Sequence, residues 1–483
     1  MKFSIISDAF QKMEATSKRL ELTEILVGLI KEIPEEVISK AVYLIQGKLR
    51  PNFEGVELGI AEKLVMKAMS KSSGIPLKKI ESDYNKGGDL GQTAENILQQ
   101  KIQTTFSSET ITLERVYDTL LKIANLGGRG SQEMKMRYIS SILNDATPQE
   151  AKFILKILLG TLRLGIAENT VMDALAIAFT GEKENREIIE NAYNVSSDLG
   201  KVAQVVSTGG VEQIRKFQIQ LFNPIRPMLA DRIKSGEDTV KKFQDDFAAE
   251  YKLDGERAQI HKQKDTVMIF SRSLENITSY YPDIVEKISR LIISDNVILE
   301  AEVVAMNTNS GDFLPFQELM HRRRKYEIDE AVTKYPITVN FFDVLFSDGK
   351  NCMEMEYVER RKLLEKIIKE DDFARLIPMS IINSEEQVLE VLENSINSGC
   401  EGLMLKHLNS TYRAGIRGSN WLKLKREYQN GLGDSLDLVV IGAFFEKEGA
   451  PANMGHYYLQ HIMTKRMFSQ AYVRLAPVFQ MRV

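Results

Sequence analysis

Lys252 opens the run Lys-Leu-Asp-Gly-Glu-Arg, which ends at Arg257. A lysine near the start of a strand, followed by Asp, Gly and Arg, suits covalent attack on a nucleotide phosphate. Its amine is a poor nucleophile while protonated, with a free pKa of about 10.4. Burial and flanking cations lower that value, and a metal or arginines can neutralise the phosphate under attack. Alone, the run reads equally well as a strand ending in a charged Asp-Gly turn.

Downstream lie Ser271 to Glu275 (SRSLE), Ile298 to Glu302 (ILEAE), Phe341 to Asp343 (FFD), Glu401 to Lys406 (EGLMLK) and Trp421 to Lys425 (WLKLK). In this order and at these spacings the series resembles the motifs of covalent nucleotidyltransferases. It is most similar to the ATP-dependent DNA ligases of archaea and of eukaryotic replication. The resemblance implies three phosphoryl-type transfers at one place. The lysine takes AMP from ATP, AMP passes to the 5′-phosphate of a DNA nick, and the 3′-hydroxyl then displaces it. Such steps depend on alignment and on neutralising equatorial oxygens, so they call for lysines, arginines and metal-binding carboxylates together.

By motif position, the resemblance makes Lys252 the nucleophile and sets Glu250 against the adenine edge, where it accepts from the amino group. Arg257 and Arg272 would contact ribose and phosphates, and Arg417 would lie near the nucleotide. Glu302 would bind the ribose or support a metal, and Glu401 would be the main Mg2+ carboxylate, an oxygen ligand for an ion that keeps several waters. Phe342 would stack on the adenine; as a Phe beside an Asp at a strand end it otherwise reads as core. Lys423 and Lys425 alternate with Leu422 and Leu424, so a strand puts both amines on one face, toward the α-phosphate. The plain alternative is an edge strand with solvated lysines. Two departures are mild: Ala301 and Leu274 stand where the family often has Gly.

These residues need a scaffold, and 483 residues suggest about three domains at roughly 150 residues each. A hydrophobic content of 43% with 27% charged residues is ordinary for a globular protein. The net charge of -4 gives no global basic field, but DNA binding needs only a local one. Cys352 and Cys400 lack CxxC spacing, which argues against a disulfide framework or zinc site and fits a reducing cytoplasm. Met1 to Ile30 mixes charges into its apolar pattern, so neither a signal peptide nor a membrane span is expected. A cytoplasmic monomer without membrane contact is expected.

Residues 1–222 read as an all-α domain. Glu21 to Lys31 and Glu36 to Leu49 carry apolar residues at helical spacing, and Thr147-Pro148-Gln149-Glu150 is a helix start with Thr147 as cap. The glycine-rich segment Leu126 to Gln132 and the turn Gly160 to Gly165, which presents Arg163, read as plain helix connections. Together with Thr170 to Leu175, both also resemble the ligases' helical DNA-binding domain, which grips duplex DNA by backbone contacts without sequence choice. The two prolines in Asn223 to Met228 break the helices. Residues 223–430 then read as a mixed α+β nucleotidyltransferase (adenylation) domain, with strand alternation from Ala248 and helices over Glu359 to Lys369 and Glu385 to Ile396. The run His321 to Lys325 is the densest basic patch, either a solvated helix end or a DNA-facing surface. Residues 431–447, with the apolar strand Leu436 to Phe445, resemble the start of a small OB-fold barrel.

Residues 448–483 read as a frame-shifted version of that barrel, leaving a truncated OB-fold remnant. Read from the third base of each codon, Met454-Gly455 forces Gly, His456-Tyr457 and Tyr457-Tyr458 force Leu, Met463-Thr464 forces Asp and Met467-Phe468 forces Val. These fall where the ligase pattern wants them, and loss of the barrel would impair self-adenylylation and leave 448–483 poorly ordered. The expectation is therefore a DNA ligase of replication, repair and recombination, using ATP and Mg2+ on nicked duplex DNA and open to a sliding-clamp partner. RNA ligases and mRNA-capping guanylyltransferases share the lysine motif but generally lack so large a helical domain. A third alternative is a nick-binding protein with incomplete catalysis.

Overall fold

The computed structural model describes residues 1–100, 109–307, 311–324 and 327–425, together with the backbone of 438–445, 455–461 and 473–475. From Phe3 to Arg215 the regular elements are helical, around one apolar core that includes Phe3, Phe10, Leu44, Phe153, Leu175 and Val206. Thr147 caps the helix Pro148–Leu158 with a full capping box, in which Glu150 returns a bond to the cap amide. The expected helix at Glu21 to Lys31 is Arg19–Glu32. The one expected over Glu36 to Leu49 is shorter: a 3-10 turn at Glu35–Val37 leads into Ile38–Ile45. It stops because Lys48 and Gly47 donate back to the carbonyls of Tyr43 and Leu44, both at 2.9 Å, in a Schellman closure.

The chain then runs extended through Asn223 to Met228. The Ser197 hydroxyl donates to Pro224 O at 2.6 Å and the Arg226 amide to Asn194 O at 2.8 Å, so this segment is tied to the helices it leaves.

Two sheets follow. The first has the order β1 (Leu229–Arg232), β11 (Arg417–Lys425), β10 (Gly402–His407), β2 (Phe247–Lys252), β9 (Met379–Ile382). The second has the order β4 (Thr266–Ser271), β3 (Glu256–Gln263), β5 (Asn296–Ala305), β6 (Ile337–Ser347), β7 (Lys350–Asn351), with β8 (Ala374–Leu376) parallel to β6. Each sheet buries one apolar face under helices. Ala249, Leu403, Leu405, Leu422 and Leu424 pack with Phe243, Val388 and Leu392 from the helices Gly236–Phe243 and Glu385–Asn397. Ala258, Ile260, Leu299, Ala301, Val303 and Phe341 pack with Ile284, Ile288 and Leu364 from Pro282–Leu291 and Tyr357–Ile367. Because side chains alternate along a strand, the charged residues between these apolar positions point the other way. β12 (Leu438–Phe445), β13 (Gly455–His461) and β14 (Val473–Leu475) pair antiparallel by backbone. The rest of the segment read as frame-shifted lies outside the described residues.

Four expectations are corrected. Lys252 is the last residue of β2, not near a strand start, and the Asp254–Gly255 turn leads into β3. Phe342 lies inside β6 rather than at its end. The strand carrying Lys423 and Lys425 sits between β1 and β10, so it is no edge. In the run His321 to Lys325, Arg322 is fully buried on Asp283 at 2.7 Å and Arg323 pairs with Glu256, so neither is a solvated end; Lys325 lies outside the described residues.

Candidate active site

The register of the first sheet builds one half of the site. Lys252 lies opposite Gly402, and Gly402 opposite Lys425, while Glu250 and Lys423 both lie opposite Met404. The Glu401 amide donates to Lys252 O at 2.8 Å. Glu401 thereby stands between two amines: its carboxylate pairs with Lys252 Nζ and, at 2.8 Å, with Lys425 Nζ. Two glycines permit this closeness. A Cβ on Gly255 would fall on the Val303 carbonyl, and one on Gly402 (φ +147°) on that of Leu424.

The second sheet supplies the opposite wall. Arg257 and Glu302 are cross-strand partners on β3 and β5. Phe342 enters by a different device. Glu300 pairs with Asp343 and Ala301 with Phe341, which leaves Phe342 as the extra residue of a bulge. A bulge re-aims a side chain, and Phe342 leaves the core of Phe341 to face Trp421, ring centroids 6.4 Å apart.

A cavity of about 260 Å³ opens between the walls. It is lined by Glu250, Lys252, Arg257, Arg272, Glu302, Phe342, Glu401 and Lys423, among others. Eight of the ten residues singled out from sequence thus meet in one place. Lys425 reaches it through Glu401. Arg417 does not line it: it lies exposed at the start of β11 and donates to Ala230 O at 3.1 Å. Arg257 lines the cavity but is held within the wall, paired with Glu300 and bonded to Met228 O at 3.1 Å. Leu274 adopts φ +66°, the left-handed conformation that Gly takes without strain, which accounts for the family's frequent glycine there. A second cavity of about 290 Å³ lies between helical domain and sheets, with Lys48, Glu168, Arg226 and Arg272 on its walls. It holds no aligned nucleophile, and Arg226 and Glu168 satisfy one another at 2.9 Å.

The charges in the first cavity are unevenly compensated. Burial pushes the Glu302 carboxyl up to about 7, against the pull of Lys252 and Arg257 and with help from the nearby Glu401 charge. Burial works the same way on Glu401, but bonds from Lys252 and Lys425 outweigh it and hold that carboxyl below the usual range. Lys423 is pushed down by burial and by the neighbouring cations Arg232, Arg417, Lys252 and Arg272. Two carboxylates that repel, beside cations that also repel, fit a site completed by a divalent cation and a phosphate chain.

Sequence reasoning missed a third group. Glu250 is buried, and its carboxylate pairs with Lys406 at 2.6 Å and accepts from the Tyr357 hydroxyl; Arg361 stands 3.7 Å away. Lys406 lies inside the Glu401 to Lys406 motif, whereas Tyr357 and Arg361 come from a helix about a hundred residues along the chain and carry no motif signal.

Comparison with known proteins gives the same picture. The model of the "ATP dependent DNA ligase domain" matches residues 227–425 and that of the "DNA ligase N terminus" residues 2–176. The chain is 67% identical to a DNA ligase of Nitrosopumilus maritimus over 94% of its own length and 77% of that protein's. It is 63% identical to a DNA ligase of Cenarchaeum symbiosum over 92% and 76%. The solved structure Pmar-Lig_PreS3 covers 98% of this chain and 88% of its own at TM-score 0.53 and 16% identity, a likeness of fold.

Proposed function

This chain belongs to the ATP-dependent DNA ligase family, and from that premise we propose which of its residues carry out each part of nick sealing. It is an enzyme that uses ATP and acts on nicked DNA. Lys252 attacks the α-phosphate, and the nitrogen–phosphorus bond forms as the bond to pyrophosphate breaks. AMP then moves from Lys252 to the 5′-phosphate of the nick, and the 3′-hydroxyl displaces it. Phe342 stacks on the adenine, and Glu250 accepts from its amino group. Arg272 and Lys423 meet the phosphates, with Lys425 behind them and Arg417 positioned to approach from the rim. Arg257 acts as a wall residue that steadies Glu300 and the ring of Phe342, over which its guanidinium lies at 5.3 Å.

Glu401 and Glu302 are the residues that would hold Mg2+, whose charge would stabilise the phosphate oxygens during transfer. The Glu401 carboxylate also pairs with Lys252 Nζ, the proposed nucleophile. Residues 1–222 act as the DNA grip and 223–430 as the adenylation domain, and replication, repair and recombination are the processes such sealing serves. No helix among the described residues is long and apolar enough to cross a membrane.

The observation that carries this reading is Lys252, with Glu401 and Lys423, lining one cavity with Phe342 and Glu302. A gel assay on singly nicked duplex DNA tests it. Sealing should require ATP and a divalent cation and stop on chelation. Sealing supported by NAD and not by ATP would overturn it.

A further inference from the structure

We propose that Lys406, Tyr357 and Arg361 choose the nucleobase, by holding Glu250 as a hydrogen-bond acceptor that takes a 6-amino purine and refuses a 6-oxo purine. This rests on the reading above that Glu250 faces the purine edge.

Glu250 is 1% exposed, so water cannot stabilise its charge. Its compensation comes from protein: Lys406 Nζ at 2.6 Å on one oxygen, the Tyr357 hydroxyl on the other, and the Arg361 guanidinium 3.7 Å from that second oxygen. Lys406 is held in turn. It is 1% exposed and its ammonium lies over the rings of Trp421 at 4.4 Å, Tyr357 at 4.8 Å and Phe342 at 5.0 Å. Burial holds the Lys406 amine below its ordinary pKa despite the pull of Glu250 and Asp343, and the three aromatic faces favour its cation. The Lys406 ammonium thus stands beside Phe342 and Trp421, which both line the cavity.

An ionised carboxylate only accepts; a protonated one also donates. Against an ionised Glu250, the 6-amino group of adenine finds an acceptor. The 6-oxo group of guanine or hypoxanthine brings acceptor to acceptor, and neither can be hydrated in a buried site. Without Lys406, the Glu250 oxygen it holds loses its fixed partner, and the acceptor that meets a 6-amino group is no longer fixed in place. The cations and phenol around Glu250 therefore set the choice that Glu250 delivers, and they act as positioning residues.

The test uses the full chain and compares ATP with inosine triphosphate, each with a labelled α-phosphate, in self-nucleotidylation. Inosine carries the 6-oxo group without guanine's 2-amino group, so the comparison isolates this end of the base. The ATP-over-ITP ratio should fall in Lys406→Met by at least about tenfold, the worth of one hydrogen bond to a charged group. Tyr357→Phe, which removes one donor and no charge, should lower it less, and Lys406→Arg should restore it. The affinity ratio of the two nucleotides, measured calorimetrically, gives the same readout for a variant too slow to label. A wild-type ratio in both Lys406→Met and Tyr357→Phe, with Glu250→Ala relaxed, would overturn this inference and leave the role of Glu250 standing. A wild-type ratio in Glu250→Ala would instead remove Glu250 from the base site.

Discussion

The helical region and the cavity between the sheets differ in how some of their buried charges are compensated. In the helices, Lys156 is partly buried, yet Glu14 at 2.7 Å and Asp89 at 3.0 Å hold its amine above the ordinary value despite the burial. Lys152 shares Glu14 at 2.8 Å. Asp173 is 1% exposed and draws in Arg19, Lys183 and Arg186, all within 3.6 Å. Each of these buried charges meets its opposite. In the cavity, Lys423 stands among four cations and Glu302 beside another carboxylate, and both are shifted toward neutrality. Asp173 and Lys156 come with opposite partners, whereas Lys423 and Glu302 keep like-charged neighbours, as expected of groups that a ligand completes.

Substitutions should therefore separate the two regions. The largest effect is expected at Glu401. Glu401→Ala removes the proposed metal carboxylate and the partner of Lys252, and single-turnover adenylylation should fall by about a hundredfold or more, the scale of losing one preorganised electrostatic contact. Next comes Phe342→Ala. Loss of a base-stacking aromatic costs about 1–3 kcal/mol, so ATP use should weaken roughly ten- to a hundredfold in steady-state kinetics. An unchanged dependence on ATP would show that the bulge does not aim this ring at the base.

A pair of variants sharpens the contrast further. Asp173→Ala leaves three cations around an empty site. Its unfolding free energy should drop by about 2 kcal/mol, below the usual 3–5 for a buried pair because the cations reach solvent. Its adenylylation should persist. Lys423→Met should do the reverse, with the melting temperature held or raised and the labelling rate reduced. Equal stability losses in both would erase the distinction between the regions.

The contrast also reaches pH dependence. Glu302 titrates near 7 in the fold and at about 4.3 in the unfolded chain. The folded state thus keeps a proton that the unfolded state releases between those values. This contribution is complete below about pH 4.3 and is lost as pH rises through 7. Without ligands, denaturant titration should show wild type losing stability relative to Glu302→Gln as pH rises across that window.

What was legible in the sequence divides along similar lines. The capping box at Thr147 is written in four consecutive residues, and period-2 alternation places Glu250 with Lys252 and Lys423 with Lys425. The Schellman closure that shortens the helix at Ile45 is invisible to apolar periodicity, which continues to Leu49. The Phe342 bulge depends on a register between β5 and β6 that no local pattern encodes. The Glu250 cluster draws on residues 250, 357, 361 and 406, which only the fold brings together. Arg322 looked solvated because its partner, Asp283, lies 39 residues away in the chain.

The central claim is that Lys252 is the covalent nucleophile of a ligase. Protein incubated with ATP carrying a labelled α-phosphate, with magnesium, should acquire label, and peptide mass mapping should place one AMP on Lys252. Lys252→Ala, folded by its melting curve, should acquire none. Label retained in Lys252→Ala, or AMP mapped to another residue, would contradict the account.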